Sequence, residues 1–238
     1  MCTVSFVKVE GKVIITSNRD ESVLRPSAEP PKMYHLNNKK LIFPKDPQAG
    51  GTWFAVGVNG TVLVLLNGAN EKHIVSGPYR LSRGLIVLDI ISHVSPKDFW
   101  DEIDLDNIEP FTIVLFQNEA LYQLRWNALA KEKIVLDTTK KHIWSSSPLY
   151  SAAIRKEREV LFYAALQNKA AIDEQAMYQF HRYTDIEDVE NGLVINRDNN
   201  LKTLSITQTV IEDNKVNVLY YDLITQQDYA TSFLIENK

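Results

Sequence analysis

The chain has 238 residues, of which 45% are hydrophobic and 24% charged, and its formal net charge is −4. That balance suits one globular αβ domain with a sizeable core, spanning 1–238. It excludes the basic footprint of a nucleic-acid binder and the polybasic patch of a membrane-surface protein. Apolar runs such as Val62–Leu66 and Leu85–Leu88 are far too short for a transmembrane segment. No apolar stretch of signal-peptide type follows Met1, and the single cysteine excludes an internal disulfide, so a cytoplasmic location is expected.

The one cysteine is Cys2. A short second residue lets the initiator methionine be trimmed, and Cys2 would then carry both a thiol and a free α-amine. Such an amine titrates at about 7.7–8.0 in model compounds and can act as the base for its own side chain in acyl transfer. A small buried hydrophobe is the plainer reading of a lone cysteine. Cys2–Val9 reads as a strand, Glu10-Gly11 as a turn, and Lys12–Ser17 as the returning strand. A two-residue loop pairs positions summing to 21 and sets Cys2 against Arg19; a three-residue loop sums to 22 and sets it against Asp20. Either register brings Asn18-Arg19-Asp20-Glu21 beside the N-terminus, because opposed Cβ atoms lie about 4.5–5.5 Å apart. A cation there favours a thiolate, and a carboxylate can hold the α-ammonium. An ordinary solvated salt bridge also fits these charges.

Further along, Pro26–Pro31 reads as a loop, and Thr52–Gly57 with Thr61–Leu66 as a hairpin across Val58-Asn59-Gly60. Leu81, Leu85, Leu88 and Ile91 give helical spacing over Arg80–His93, and Ser95 caps a helix over Pro96–Ile103. Strands are expected at Phe111–Gln117, Leu121–Trp126 and Lys133–Asp137, and helices at Ser151–Asn168 and Asp173–Tyr183. Strands at Leu193–Asn196, Thr203–Glu212, Val216–Leu223 and Tyr229–Ile235 complete the chain. Strands, then helices, then strands again fit a layered α+β domain better than a βαβ series.

Met1-Cys2-Thr3, Asn18-Arg19-Asp20-Glu21, Arg25-Pro26, Ala49-Gly50-Gly51-Thr52-Trp53, Leu66-Asn67, Ser82-Arg83-Gly84 and Glu109-Pro110-Phe111 occur in this order. Together they resemble the NRDE family, also called the transport and Golgi organisation protein two family. That family is similar to N-terminal-nucleophile hydrolases of the bile-salt-hydrolase and penicillin-acylase kind. The resemblance implies a four-layer αββα sandwich with Cys2 as nucleophile, and sets Asn67 at the oxyanion-hole position. An oxyanion donor of this kind is worth about 2.7–4 kcal/mol, whereas a strand-end Asn turning into Gly68 is the structural alternative. Ser17 and Ser146 stand where the hydrolases place an Arg and an Asn, and Lys202 is the nearest match to a further Arg. Arg19 shares a strand face with Ser17, about 6.6 Å away, and can supply a similar charge.

The candidate catalytic residues are therefore Cys2, Asn18, Arg19, Asp20 and Asn67, with Trp53 and Ser146 as candidate substrate contacts. The five histidines show no metal-ligand spacing, and no nucleotide or cofactor motif occurs. Two functions follow. One is an N-terminal cysteine hydrolase or acyltransferase acting on the amide bond of a small acylated substrate. The other is a non-catalytic haem or lipid handler on the same fold, since the family's eukaryotic members are associated with haem and lipid handling. Homo-oligomerisation is left open.

Overall fold

The computed structural model describes residues 3–167 and 172–236. Glu10 and Gly11 both take positive φ (50° and 78°), as the tight turn between β1 (Thr3–Val9) and β2 (Lys12–Ser22) requires. Thr3 faces Asn18 and Val9 faces Lys12, so the two-residue loop sets the register. β2 continues to Ser22, five residues beyond the expected end, because β12 (Leu201–Glu212) pairs with it past the start of β1. Asn18-Arg19-Asp20-Glu21 therefore lies inside a strand rather than at a frayed end.

Pro30 and Pro31 do not form a loop. They belong to β3 (Glu29–Leu36), whose register with β4 (Lys39–Lys45) slips between Glu29 and Lys32. β3 is an edge strand, one of the few places where proline's missing N–H costs no sheet bond. β5 (Phe54–Gly57) and β6 (Val62–Asn67) form the expected hairpin, with Gly60 alone of its turn at positive φ (79°). Next come α1 (Arg83–Ser92), α2 (Pro96–Glu102), β7 (Phe111–Gln117), β8 (Ala120–Trp126), β9 (Lys131–Leu136) and β10 (His142–Ser145). α3 (Ala152–Gln167), α4 (Glu174–Tyr183), β11 (Asn196–Arg197), β12, β13 (Lys215–Asp222) and β14 (Gln227–Leu234) complete the described chain.

Two differences from the sequence reading have clear causes. α1 starts at Arg83, and its buried face is Ile86, Val87, Ile90 and Ile91, while Leu81 lies outside the helix and is exposed. The helix is rotated from the expected stripe because Gly84 packs against Gly51, where a Cβ on Gly51 would sit 2.3 Å from the Gly84 carbonyl carbon. Leu193 and Ile195 are buried as expected of a strand, but only Asn196 and Arg197 pair with β12. Leu193 packs in the apolar cluster with Met177 and Phe180 of α4, so its burial comes from a helix.

Both sheets are antiparallel and, among the described residues, seven-stranded. One runs β10-β1-β2-β12-β13-β14, with β11 also against β12; the other runs from β3 to β9 in chain order. Their facing sides share one apolar core, drawing Val4 and Phe6 from the first sheet and Val64 and Ile113 from the second. α1 and α2 cover the second sheet, while α3 and α4 cover the first. The result is a four-layer αββα sandwich. Phe162 and Met177, both fully buried, join Val7 and Ile14 beneath α3 and α4. Each such side chain contributes about 1.5–3 kcal/mol on leaving water. Among the described residues no helix is long and apolar enough to cross a membrane.

Candidate functional site

Side chains alternate across a strand, and β2 uses that alternation to divide its motif. Asn18 and Asp20 point toward the α3/α4 layer; Arg19 points between the sheets. The Asn18 Nδ2 donates to the carbonyls of His181 (3.0 Å) and Leu193 (2.7 Å). Its Oδ1, which can only accept, takes the proton of His181 Nδ1. His181 Nε2 is then the acceptor for the Ser5 hydroxyl at 2.7 Å. Burial, aided by the nearby charge of Arg158, pushes the His181 pKa down to about 3, so the ring is neutral. Asn18 is thus a clamp joining β2 to α4 and to the chain after Gly192.

Asp20 is 3% exposed. Tyr150 Oη donates to its Oδ2 at 2.6 Å, and Thr203 Oγ1 donates to its Oδ1 at 2.6 Å. The Tyr150 ring lies under the guanidinium of Arg158 (3.6 Å) and near that of Arg197 (5.1 Å). Arg158, also buried, donates to Thr3 Oγ1 at 2.6 Å and to the carbonyls of Asn191 and Gly192. Thr3 immediately follows Cys2. The arginine thus holds the first residue of β1, and Tyr150 connects it to Asp20.

On the opposite face, Arg19 lies 4.3 Å over the Trp53 ring and 3.5 Å from Asp46. Burial lowers the Arg19 pKa, opposed by the charges of Glu21 and Asp46. Asp46 is also held by Arg25 and by the backbone N–H groups of Gln48 and Ala49. Trp53 is both core and wall: it is 4% exposed, and with Arg19 and Asn67 it lines a recess of about 120 Å³. The short motifs meet here. Gly51 abuts Gly84, Thr52 N donates to the Gly84 carbonyl (3.2 Å), and Arg83 pairs with Glu109 at 3.0 Å.

Asn67 closes β6 opposite Phe111. Its carbonyl accepts from Ser146 Oγ at 2.9 Å, and Gly68 follows at φ +80°, where a Cβ would sit 2.3 Å from Pro148 Cδ. That close approach requires glycine. Asn67 is thus fixed from both sides. It lines the Arg19 recess and a second cavity of about 300 Å³ that also includes Ser146 and Arg155.

The structure brings Arg19, Trp53 and Asn67 to one recess and Asn67 and Ser146 to the other, and leaves Asn18 on the helix side. Cys2 lies outside the described residues. Sequence reasoning passed over Tyr150, Thr203, Arg158 and Arg197. Arg158, four residues before Phe162 on the buried stripe of α3, was the legible one, since a charge on an apolar face needs partners. Lys202 sits at the start of β12 opposite Glu21, and Arg197 of β11 lies 5.1 Å from the Tyr150 ring.

The arrangement is that of an N-terminal-nucleophile hydrolase fold. An N-acylethanolamine-hydrolyzing acid amidase ortholog from Caenorhabditis elegans superposes with a TM-score of 0.62 at 13% identity, covering 87% of this chain and 92% of its own. An arginine-to-leucine variant of conjugated bile acid hydrolase from Clostridium perfringens gives 0.61 at 11% identity, covering 99% and 94%. A cysteine-to-alanine mutant of that hydrolase gives 0.58 at 11% identity, covering 100% and 94%. No curated protein sequence matches the chain significantly. The family model described as Transport and Golgi organisation 2 matches residues 1–232, and the chain belongs to that family.

Proposed function

We propose that the protein is an N-terminal cysteine hydrolase or acyltransferase that cleaves the amide bond of a small acylated substrate. Met1 is removed, and the α-amine of Cys2 takes the thiol proton. The thiolate attacks the amide carbonyl, and the resulting oxyanion receives a hydrogen bond from the Asn67 carboxamide. Collapse of this intermediate breaks the carbon–nitrogen bond; the leaving amine takes the proton from the α-ammonium, and a thioester remains. Water, deprotonated by the α-amine, attacks the thioester, the carbon–sulfur bond breaks, and the acid departs.

One observation carries this reading. Asp20, a buried carboxylate fixed by Tyr150 and Thr203, lies two residues beyond Asn18, which faces Thr3. Consecutive Cα atoms are about 3.8 Å apart, so Cys2 is one such step from Thr3, and Asp20 is within the neighbourhood needed to hold its α-ammonium. Two of the similar structures are named as an amidase and a hydrolase of conjugated acids, which lends the chemistry a precedent on this fold. The test has two parts. Intact mass of protein made in a cytosol should show loss of one methionine. A panel of acyl amides should then be turned over by wild type but not by Cys2→Ala. Asn67→Ala should be slower by about 10²–10³, the effect of one oxyanion donor, and Asp20→Asn should slow acylation. Retention of Met1, or no turnover of any amide by wild type, sinks the proposal; binding of haem or a lipid without turnover would leave a ligand handler in its place.

A further inference from the structure

The larger cavity beside Asn67 contains more positive charge than its own carboxylates offset. Arg125 enters from β8, and Arg155 and Lys156 from the start of α3. Arg125 is paired with Glu132 at 2.8 Å, and Lys156 with Glu159 at 2.8 Å. Arg155 has no carboxylate within ion-pair distance among the described residues. The Nε–H groups of Arg125 and Arg155 are both buried, and neither has a hydrogen-bond partner among the described residues. The two guanidiniums also feel each other: burial lowers the Arg125 pKa, Glu132 opposes that, and the charge of Arg155 adds a smaller push downward. Two guanidiniums lining one cavity, one of them without a carboxylate partner among the described residues and each with a buried donor unused, make an unfavourable arrangement. It becomes favourable around an anion, because a planar guanidinium matches an oxyanion with paired hydrogen bonds.

We infer that this cavity is an oxyanion subsite, in which Arg155 and Arg125 bind the carboxylate or phosphate of an anionic acylated ligand whose acyl group lies at Asn67. The inference rests on the proposed amide chemistry for the placement of the acyl group, not for the anion site itself. Asn67 joins the two recesses, so a ligand with its carbonyl at the Asn67 carboxamide reaches the arginines with the part on the other side of that carbonyl. Leu66 and Ile143 in the same wall offer apolar contact beside the charge.

The experiment measures binding to the Cys2→Ala protein by calorimetry, where turnover plays no part. The probes are N-decanoylglycine, decyl phosphate and the neutral N-decanoylethanolamine. The anionic probes should bind at least tenfold more tightly than the neutral one, and the tighter of the two anions identifies whether carboxylate or phosphate is preferred. Arg155→Gln should collapse the anionic-to-neutral ratio toward unity, and Arg155→Lys, which keeps the charge, should restore much of it. Equal affinity for all three probes, or an unchanged ratio in a folded Arg155→Gln protein, overturns the subsite. Failure of the two readings is separable: an anion preference without amide turnover in wild type leaves the subsite standing and the hydrolase reading fallen. Turnover with no anion preference does the reverse.

Discussion

The two faces of β2 solve the burial of polar groups in opposite ways. On the helix side, Asn18, Asp20, Ser5, His181, Thr3 and Arg158 each have a hydrogen-bond partner 2.5–3.1 Å away, although Gln208 Oε1 on that face has none among the described residues. Between the sheets, Ser17 Oγ, Thr207 Oγ1 and Thr209 Oγ1 are buried without a hydrogen-bond partner among the described residues, and Arg19 rests on Trp53 and shares Asp46 with Arg25. A saturated network has one low-energy arrangement and is costly to edit. A loosely partnered face tolerates substitution, and is the side that opens to the recess. One motif of four residues thus serves as an anchor through Asn18 and Asp20 and as a recess wall through Arg19.

Removing Arg158 should separate the two faces most sharply. Arg158→Met strands the carbonyls of Asn191 and Gly192 and the Thr3 hydroxyl, and should cost about 3–5 kcal/mol, at about 1–3 kcal/mol for each stranded group. Chemical denaturation measures it; a loss below about 1 kcal/mol would mean that water replaces the guanidinium without cost. Asn18→Ala leaves two buried carbonyls and the His181 N–H without partners, and should cost about 3 kcal/mol at one to a few per stranded group. The same denaturation curves would show it.

Next in size is a pH effect. Native His181, with a pKa of about 3, stays neutral while the unfolded chain takes up a proton below its ordinary value of about 6.5. The unfolded state therefore binds more protons in that window, so stability is intact above about pH 6.5 and declines as pH falls toward 3. Between pH 6.5 and 5 the decline from this residue should reach about 2 kcal/mol. His181→Gln should flatten the slope over that interval, and an equal slope in both proteins would count against the neutral ring. On the other face the effects should be smaller. Arg19→Gln should lose about 1–2 kcal/mol, since it forfeits a desolvated contact with Trp53 while Arg25 continues to hold Asp46. Thr207→Val, nearly isosteric, should change stability by less than about 1 kcal/mol in either direction. A large loss there would show that the hydroxyl is satisfied after all.

Strand periodicity and turn chemistry made much of the sandwich legible. Glu10-Gly11 specified a tight hairpin, the Asn59-Gly60 pair marked another, and the continuous apolar run within Phe111–Gln117 marked a strand buried on both faces. The edge strand at Glu29–Leu36 was not legible, because its two prolines read as loop when its neighbours are unknown. The frame of α1 was hidden for a related reason: the contact of Gly51 with Gly84 joins backbones thirty-odd residues apart, and no local pattern encodes it. In the site, Arg19, Asp20, Trp53 and Asn67 were legible as a set of motifs. That the pleat sends Asn18 and Asp20 one way and Arg19 the other follows from period two alone. The partners of Asp20 were not, since Tyr150 and Thr203 come from a loop and a bulged strand far along the chain.

The prolines of β3 have one further consequence, for the behaviour of the protein among its own copies. An open sheet edge is a template on which another chain can add a strand. Along Pro30 and Pro31 that template has no N–H to offer, the register slips beside them, and Lys32 stands exposed next to the gap. An incoming strand would meet missing donors, a kink and a charge in succession. The feature that misled the sequence reading is thus also a guard against fibrous self-association along that edge.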